Sequence, residues 1–162
     1  MNESRVRRAT PNDIPAASEL AGKLARMHHD TDPERFLLPD NVVSGYAWWF
    51  ERVLKDPEAV LLVADGEGSL AGYAYGGLED RAWNLLLDEH GAIHDVYVAD
   101  DIRRHGVGRA LVGAMVAALE ELGAERIVLS TMPSNLAAQS LFARFGFRAT
   151  FLEMTRNRRP AG

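Results

Sequence analysis

Apolar residues recur every three to four positions near the start of the chain, at Ile14, Ala17, Leu20 or Ala21, Leu24 and Met27. That period lays an apolar stripe along one face of a helix. Thr10-Pro11-Asn12-Asp13 just before it supplies a capping residue, a first-turn proline and an acidic third position. The pattern predicts a helix to about His28, preceded by a short edge strand over 4–9. Periodicity then vanishes over 28–39, which predicts a long loop of the kind that often carries function. Asp40 or Asn41 caps a second helix through Tyr46, Trp48, Trp49, Phe50, Val53 and Leu54, with its aromatic cluster expected in the core. From Ala59 the helical period stops, and two apolar runs over 59–64 and 70–76 around Asp65-Gly66-Glu67-Gly68 predict a hairpin. Residues 78–91 fit either a short helix or an irregular excursion.

The second half repeats a strand-to-helix rhythm. A strand is expected over 93–98, then a helix over 107–122 with Leu111, Met115, Ala118, Leu119 and Leu122 on one face and Gly123 as its stop. The apolar run inside 125–132 is a strand reached through that crossover helix, so the two strands are parallel. Pro133-Ser134-Asn135 opens a last helix bearing Leu136, Leu141, Phe142 and Phe145, Gly146 ends it, and 147–155 is expected to be a final strand before a frayed tail. No repeat, linker or low-complexity segment interrupts this order, which predicts one domain over 1–162.

Candidate chemistry concentrates between the fourth strand and the third helix, at Arg103-Arg104-His105-Gly106-Val107-Gly108-Arg109. Two glycines let the backbone turn tightly and approach a ligand closely, and the N–H groups that open a helix have no partner inside it. Such a layout binds anions, so a phosphate or pyrophosphate is the expected ligand. Two rival phosphate motifs fail here. Arg109-Ala110-Leu111 lacks the third glycine of a dinucleotide fingerprint, and the Lys-Ser/Thr pair of a P-loop is missing.

Charge sharpens this picture. The net charge is −5, but residues 1–101 carry 9 Lys/Arg against 19 Asp/Glu, a net of −10, while residues 102–162 carry 9 against 4, a net of +5. The anion loop thus lies in the basic part. An acidic chain is a poor general binder of nucleic acid, which requires an extended basic face. The chain has no cysteine, excluding disulfides, thiolate nucleophiles and Cys-ligated metals. No apolar run approaches the ~20 residues that span a bilayer. A cytoplasmic protein with no membrane partner is the expectation. His28 and His29 are adjacent, with no histidine at i+4, so no metal is expected.

The element order β-α-α-β-β-β-α-β-α-β, with Arg103-x-x-Gly106-x-Gly108 after the fourth strand, resembles the GNAT superfamily of acyl-CoA-dependent N-acetyltransferases. Asn135-x-x-Ala138-x-x-Leu141-Phe142-x-x-Phe145-Gly146-Phe147 is similar to that family's later segment, and Arg5-Val6-Arg7-Arg8-Ala9-Thr10-x-x-Asp13 to its start. The resemblance implies an α/β (α+β) three-layer fold, a mixed central sheet flanked by helices. It implies acetyl-CoA as co-substrate, with no metal. The amides of Arg104, His105, Gly106, Val107, Gly108 and Arg109 would cradle its pyrophosphate beside Arg103. The pantetheine arm would lie along Val96-Tyr97-Val98, in a gap where the fourth and fifth strands splay, near Asn135 and with Phe142 by the sulfur.

Direct transfer to an amine requires a proton acceptor, backbone support for the oxyanion and a proton for the leaving thiolate. By the same resemblance His94 is the first candidate acceptor and Asp95 the second; neighbours on a strand face opposite ways unless a bulge intervenes. Phe142 stands where many members carry a tyrosine that protonates the thiolate, and phenylalanine cannot do so. Asp30, Asp32, Glu34, Glu79, Asp80, Asp88 and Glu89 on the acceptor side suit a cationic amine, either a small molecule or a peptide. An acyl-CoA-sensing module without turnover is the alternative, and a nucleotide-binding regulatory domain a weaker one. The exposed last strand leaves room for a homodimer.

Overall fold

A computed structural model describes residues 5–159. Ser4, expected in the first strand, and residues 160–162 of the tail lie outside them. Five strands form one mixed sheet in chain order: β1 (Val6–Arg8), β2 (Ala59–Asp65), β3 (Leu70–Glu79), β4 (His90–Val98) and β5 (Ile127–Leu129). All neighbours pair antiparallel except β4 and β5, which pair parallel through the crossover helix, as the apolar runs predicted. Helices α1 (Ile14–Thr31) and α2 (Val42–Val53) cover one face. Helix α3 (Val107–Glu121) covers the other, with α4 (Leu136–Ala143) beside it.

The alternation along β2 explains how two cores share one sheet. Leu61 and Val63 point at α1 and α2, where they meet Leu20, Leu24, Phe50 and Tyr73. Val60, Leu62 and Ala64 point at α3 and meet Leu111, Met115 and Leu119. Strands covered on both faces read as continuous apolar runs rather than alternating ones, which is the pattern of 59–64. Leu111 and Met115 are wholly buried, and truncating such a side chain costs about 2–5 kcal/mol. The start of α1 is tied to the sheet by Arg7, whose guanidinium bonds Asp13 at 2.8 Å and Asp65 at 2.9 Å. Asp13 also accepts from the Thr10 N–H at 2.7 Å, closing the turn that the sequence predicted there.

Several expectations need correction. α1 runs one turn beyond His28, to Thr31. The aromatic cluster of α2 divides: Phe50 is wholly buried, whereas Trp48 and Trp49 are 55% and 41% exposed. Trp48 lies under the Arg52 guanidinium at 4.0 Å, and Trp49 meets Tyr75 edge-on. The undecided 78–91 segment extends β3 to Glu79, makes one turn of 3-10 helix at Trp83–Leu85 and starts β4 at His90. An Arg81–Asp88 ion pair of 2.7 Å staples it.

The expected final strand does not form; residues 147–159 carry no ladder. β5 offers only three paired residues as a template, and the segment is held elsewhere. Glu153 bonds Arg35, and the Asn157 side-chain amide donates to the Glu34 carbonyl at 3.1 Å, both on the loop after α1. Among the described residues no helix is long and apolar enough to cross a membrane.

Candidate active site

Two features of β4 shape the site. The β4–β5 ladder runs Gly91↔Ile127, Ala92↔Val128, Ile93↔Leu129 and then stops, although β4 continues to Val98. Past that fork β4 has a partner on one edge only. Ala99 donates to the Ala71 carbonyl at 2.9 Å, so Ala99 turns its N–H toward β3. By the alternation of an antiparallel ladder, Val98 and Val96 turn their backbone groups the other way, into the gap left by β5. This is the splay that the family resemblance implied.

The second feature is a bulge at the fork. On β3 the step is Tyr75 to Gly76, but on β4 the matching step is Asp95 to Ile93, so His94 is the extra residue. Gly76 makes room: a Cβ there would stand 2.5 Å from the Ala92 carbonyl oxygen. The bulge also overrides the alternation rule, because both candidate acceptors reach the α1/α2 face. The His94 ring packs 4.9 Å from the Tyr75 ring, and Asp95 accepts from the Tyr73 hydroxyl at 3.0 Å.

Around Asp95 gather groups from three other elements, β3, α1 and α2. Burial raises its pKa, and the Tyr73 hydrogen bond opposes that shift. His28 on α1 is held below its usual range by burial, with the Asp95 charge opposing. Tyr46 on α2 is pushed up to about 12 by burial and by the Asp95 charge. The His28 ring stacks on Phe36 at 5.0 Å, and His29 bonds the Phe36 carbonyl at 2.7 Å. His28 is therefore half of a packed wall, not the solvated helix end that its neighbours in sequence suggest. Sequence reading missed Tyr46 and Tyr73 as cleft residues and named Glu79 only as one of several acceptor-side carboxylates, since nothing local marks which tyrosine or strand-end glutamate faces a cleft.

At the far end of the gap stands the glycine loop. Gly106 has φ of 84°, a left-handed conformation that favours glycine, and Arg104 adopts a φ of 71° beside it. The first bond of α3 is from the Ala110 N–H to the Gly106 carbonyl, so the N–H groups of Val107, Gly108 and Arg109 precede the ladder and lack helical acceptors. Gly108 is not needed for packing: a Cβ there would sit 3.5 Å from Leu141 and 3.6 Å from Val98, ordinary contacts. Arg104, His105 and Arg109 are exposed. Arg103 folds back instead, donating to the Val98 carbonyl at 3.3 Å and pairing with Asp100 at 2.7 Å. His105 is close to the Ile102 carbonyl, at 3.2 Å.

The later motif supports this end from α4. The Asn135 side chain accepts from the Ala138 N–H at 3.1 Å and caps the helix. Phe142 meets Phe147 edge-on at 6.0 Å, so it packs α4 against the segment that follows it. Tyr97, expected along the pantetheine path, directs its side chain to the α1/α2 core, with its hydroxyl donating to Asp100 at 3.3 Å. No cluster of three or more His, Asp or Glu suited to a metal ion occurs among the described residues.

The profile of the Acetyltransferase (GNAT) family matches residues 23–147, a stretch that holds the second half of α1, the forked strand, the glycine loop and α4. The chain belongs to the GNAT family of acetyltransferases. This GNAT chain is 32% identical over 119 residues to an N-alpha-acetyltransferase of Sulfurisphaera tokodaii, covering 70% of each protein. It is 31% identical over 101 residues to an L-methionine sulfoximine/L-methionine sulfone acetyltransferase of Pseudomonas aeruginosa, covering 61% of this chain and 56% of that one. The fold matches a glucosamine-6-phosphate N-acetyltransferase of Arabidopsis thaliana with a TM-score of 0.71 at 17% identity, over 96% of this chain and 99% of that one. The family draws its acyl group from acetyl-CoA generally, and the unpaired amides and open glycine of this loop fit an anionic ligand of that kind.

Proposed function

We propose that this GNAT acetyltransferase moves an acetyl group from acetyl-CoA to a primary amine by direct attack, with His94 as the proton acceptor. The observation that carries this reading is the fork: the ladder to β5 ends at Ile93, and the next residue, His94, is bulged toward the α1/α2 face. Acetyl-CoA supplies an activated acyl carbon. The N–H groups of Val107, Gly108 and Arg109 bind its pyrophosphate, helped by the positive end of α3. Val96 and Val98 offer backbone groups to the pantetheine as an added strand, and Arg103 must release the Val98 carbonyl when that happens.

His94 takes one proton from the ammonium, which frees the nitrogen lone pair to attack the acetyl carbon. Backbone N–H groups at the fork support the oxyanion. As the N–C bond forms the C–S bond breaks, and the second amine proton reaches the departing sulfur through water, since Phe142 has no hydroxyl to give. Asp95, with Tyr73, Tyr46 and His28 around it, holds the cationic end of the acceptor.

The acceptor is a small cationic amine or a peptide amine. Carboxylates and aromatic faces at the cleft, Asp95 and Glu79 beside Tyr75 and Trp49, suit an ammonium group. The names of the two relatives, one an N-alpha-acetyltransferase and one acting on L-methionine sulfoximine and L-methionine sulfone, accord with either. Thiol release from acetyl-CoA with a panel of small amines and peptides tests the reading. Turnover on at least one amine, lost in His94→Ala, is expected; tight acetyl-CoA binding with no turnover on any amine would favour the sensing module instead.

A homodimer belongs to the same reading. Phe151, Leu152 and Met154 are 80%, 68% and 87% exposed on an extended segment without a ladder, and the outer edge of β5 is also unpaired. Among the described residues, one chain thus carries an exposed apolar segment outside any ladder and an unpaired sheet edge, which a second copy can match. Light scattering is expected to give a dimer, and Met154→Lys to weaken it.

A further inference from the structure

The proton acceptor is itself held by another side chain. Across the β3–β4 pair, His94 Nε2 lies 2.8 Å from Glu79 Oε1. Glu79 is the last residue of β3, and its ladder partner is His90 rather than His94. The carboxylate reaches the imidazole because the bulge carries His94 onto the face that Tyr75 occupies.

An ionised carboxylate only accepts hydrogen bonds, so Nε2 must carry the hydrogen. In the neutral ring that leaves the lone pair on Nδ1. The Tyr75 ring, 4.9 Å away and inclined by 32°, restrains the imidazole on a second side. The pair joins two partly exposed side chains, 38% and 46% accessible, so its value to folding is small. A contact worth little to stability, on the residue at the fork, has its consequence in orientation and charge.

We infer that Glu79 is a positioning residue for acetyl transfer: it fixes His94 as the Nε2–H tautomer, leaves Nδ1 to take the ammonium proton, and stabilises the imidazolium that results. This rests on the reading of His94 as acceptor. The bookkeeping is simple: the amine N–H bond breaks, an N–H bond forms at Nδ1, and Glu79 keeps its negative charge throughout. Other titratable groups around His94 and its neighbour are Tyr75 on β3, Asp95 on β4, His28 on α1 and Tyr46 on α2.

The test is kcat and KM for the amine, each measured at saturating acetyl-CoA, in wild type, Glu79→Gln, Glu79→Asp and His94→Ala. Loss of the carboxylate leaves the ring free to take either tautomer, so kcat in Glu79→Gln should fall about tenfold with KM for the amine little changed. Glu79→Asp should lie between Glu79→Gln and wild type, and it serves alone if Glu79→Gln fails to fold. KM for acetyl-CoA should not move. A kcat unchanged in both Glu79 variants, or a loss confined to KM, while His94→Ala abolishes turnover, would overturn the positioning role alone. Full activity in His94→Ala would instead overturn the reading on which it rests.

Discussion

The two sides of β4 are made of different materials. On the β5 side the site consists of backbone: free N–H groups at the start of α3, a left-handed glycine, and the unpaired edge of Val96 and Val98. On the α1/α2 side it consists of side chains from four elements, with Asp95 and His94 on β4, Tyr73 and Glu79 on β3, His28 on α1 and Tyr46 on α2. In the proposed reading a backbone site recognises what every acyl-CoA donor shares, the pyrophosphate and the pantetheine amides. A side-chain site can be rewritten residue by residue to suit one acceptor. The division lets a fixed donor side serve a variable acceptor side.

The largest test of that contrast is His94→Ala. Loss of a general base costs typically 10²–10⁴-fold in rate, so kcat should fall by about that factor while the Kd for acetyl-CoA, measured by calorimetry, stays put. Gly108→Glu should do the reverse. It fills the space before the amides of α3 with negative charge and should weaken acetyl-CoA binding about 100-fold, worth about 2.7 kcal/mol, with an unchanged Tm. Equal loss of donor binding in both variants would erase the distinction between the two sides.

Gly76→Ala probes the joint between them. The added Cβ meets the Ala92 carbonyl at 2.5 Å, so β3 and β4 must shift at the bulge. A destabilisation of about 1–3 kcal/mol by urea denaturation is expected, with reduced kcat.

The smallest effect separates two carboxylates whose environments act with opposite sign. Arg7 holds Asp13 well below the usual range, so its contribution is full above the unfolded-state value and is lost as pH falls through the folded one. Burial raises Asp95, so this group favours folding most at low pH, and that contribution disappears as pH rises through the raised value. At neutral pH, Asp13→Asn should therefore lower stability, whereas Asp95→Asn should raise it while raising the KM for the acceptor. Denaturation midpoints at pH 7 and amine kinetics check both.

The same contrast decides what was legible in the sequence. The glycine loop lies within seven consecutive residues, and backbone sites need glycines at fixed spacing, so the donor side could be read locally. Crossover strands and amphipathic helices were legible for the same reason. On the acceptor side His94, Asp95 and Glu79 could be named, but not their pairing. Glu79 is fifteen residues from His94, and only the hairpin register with its bulge brings them together. The failed strand over 147–155 has the reverse cause: its apolar residues promise pairing, but a strand also needs an edge, and β5 is too short and the segment is tied to Arg35 and Glu34. Trp48 and Trp49 likewise read as core, because periodicity does not say which end of an apolar stripe reaches the rim of a cleft.

A crystal structure of the acetyl-CoA complex tests the central claim most directly. The account predicts the pyrophosphate on the N–H groups of Val107, Gly108 and Arg109, the pantetheine bonded to Val96 and Val98, and the acetyl carbonyl at the fork, within hydrogen-bond or one-water reach of the His94 side chain. An acetyl group bound away from the fork, or a pyrophosphate bound elsewhere than at the start of α3, would contradict it.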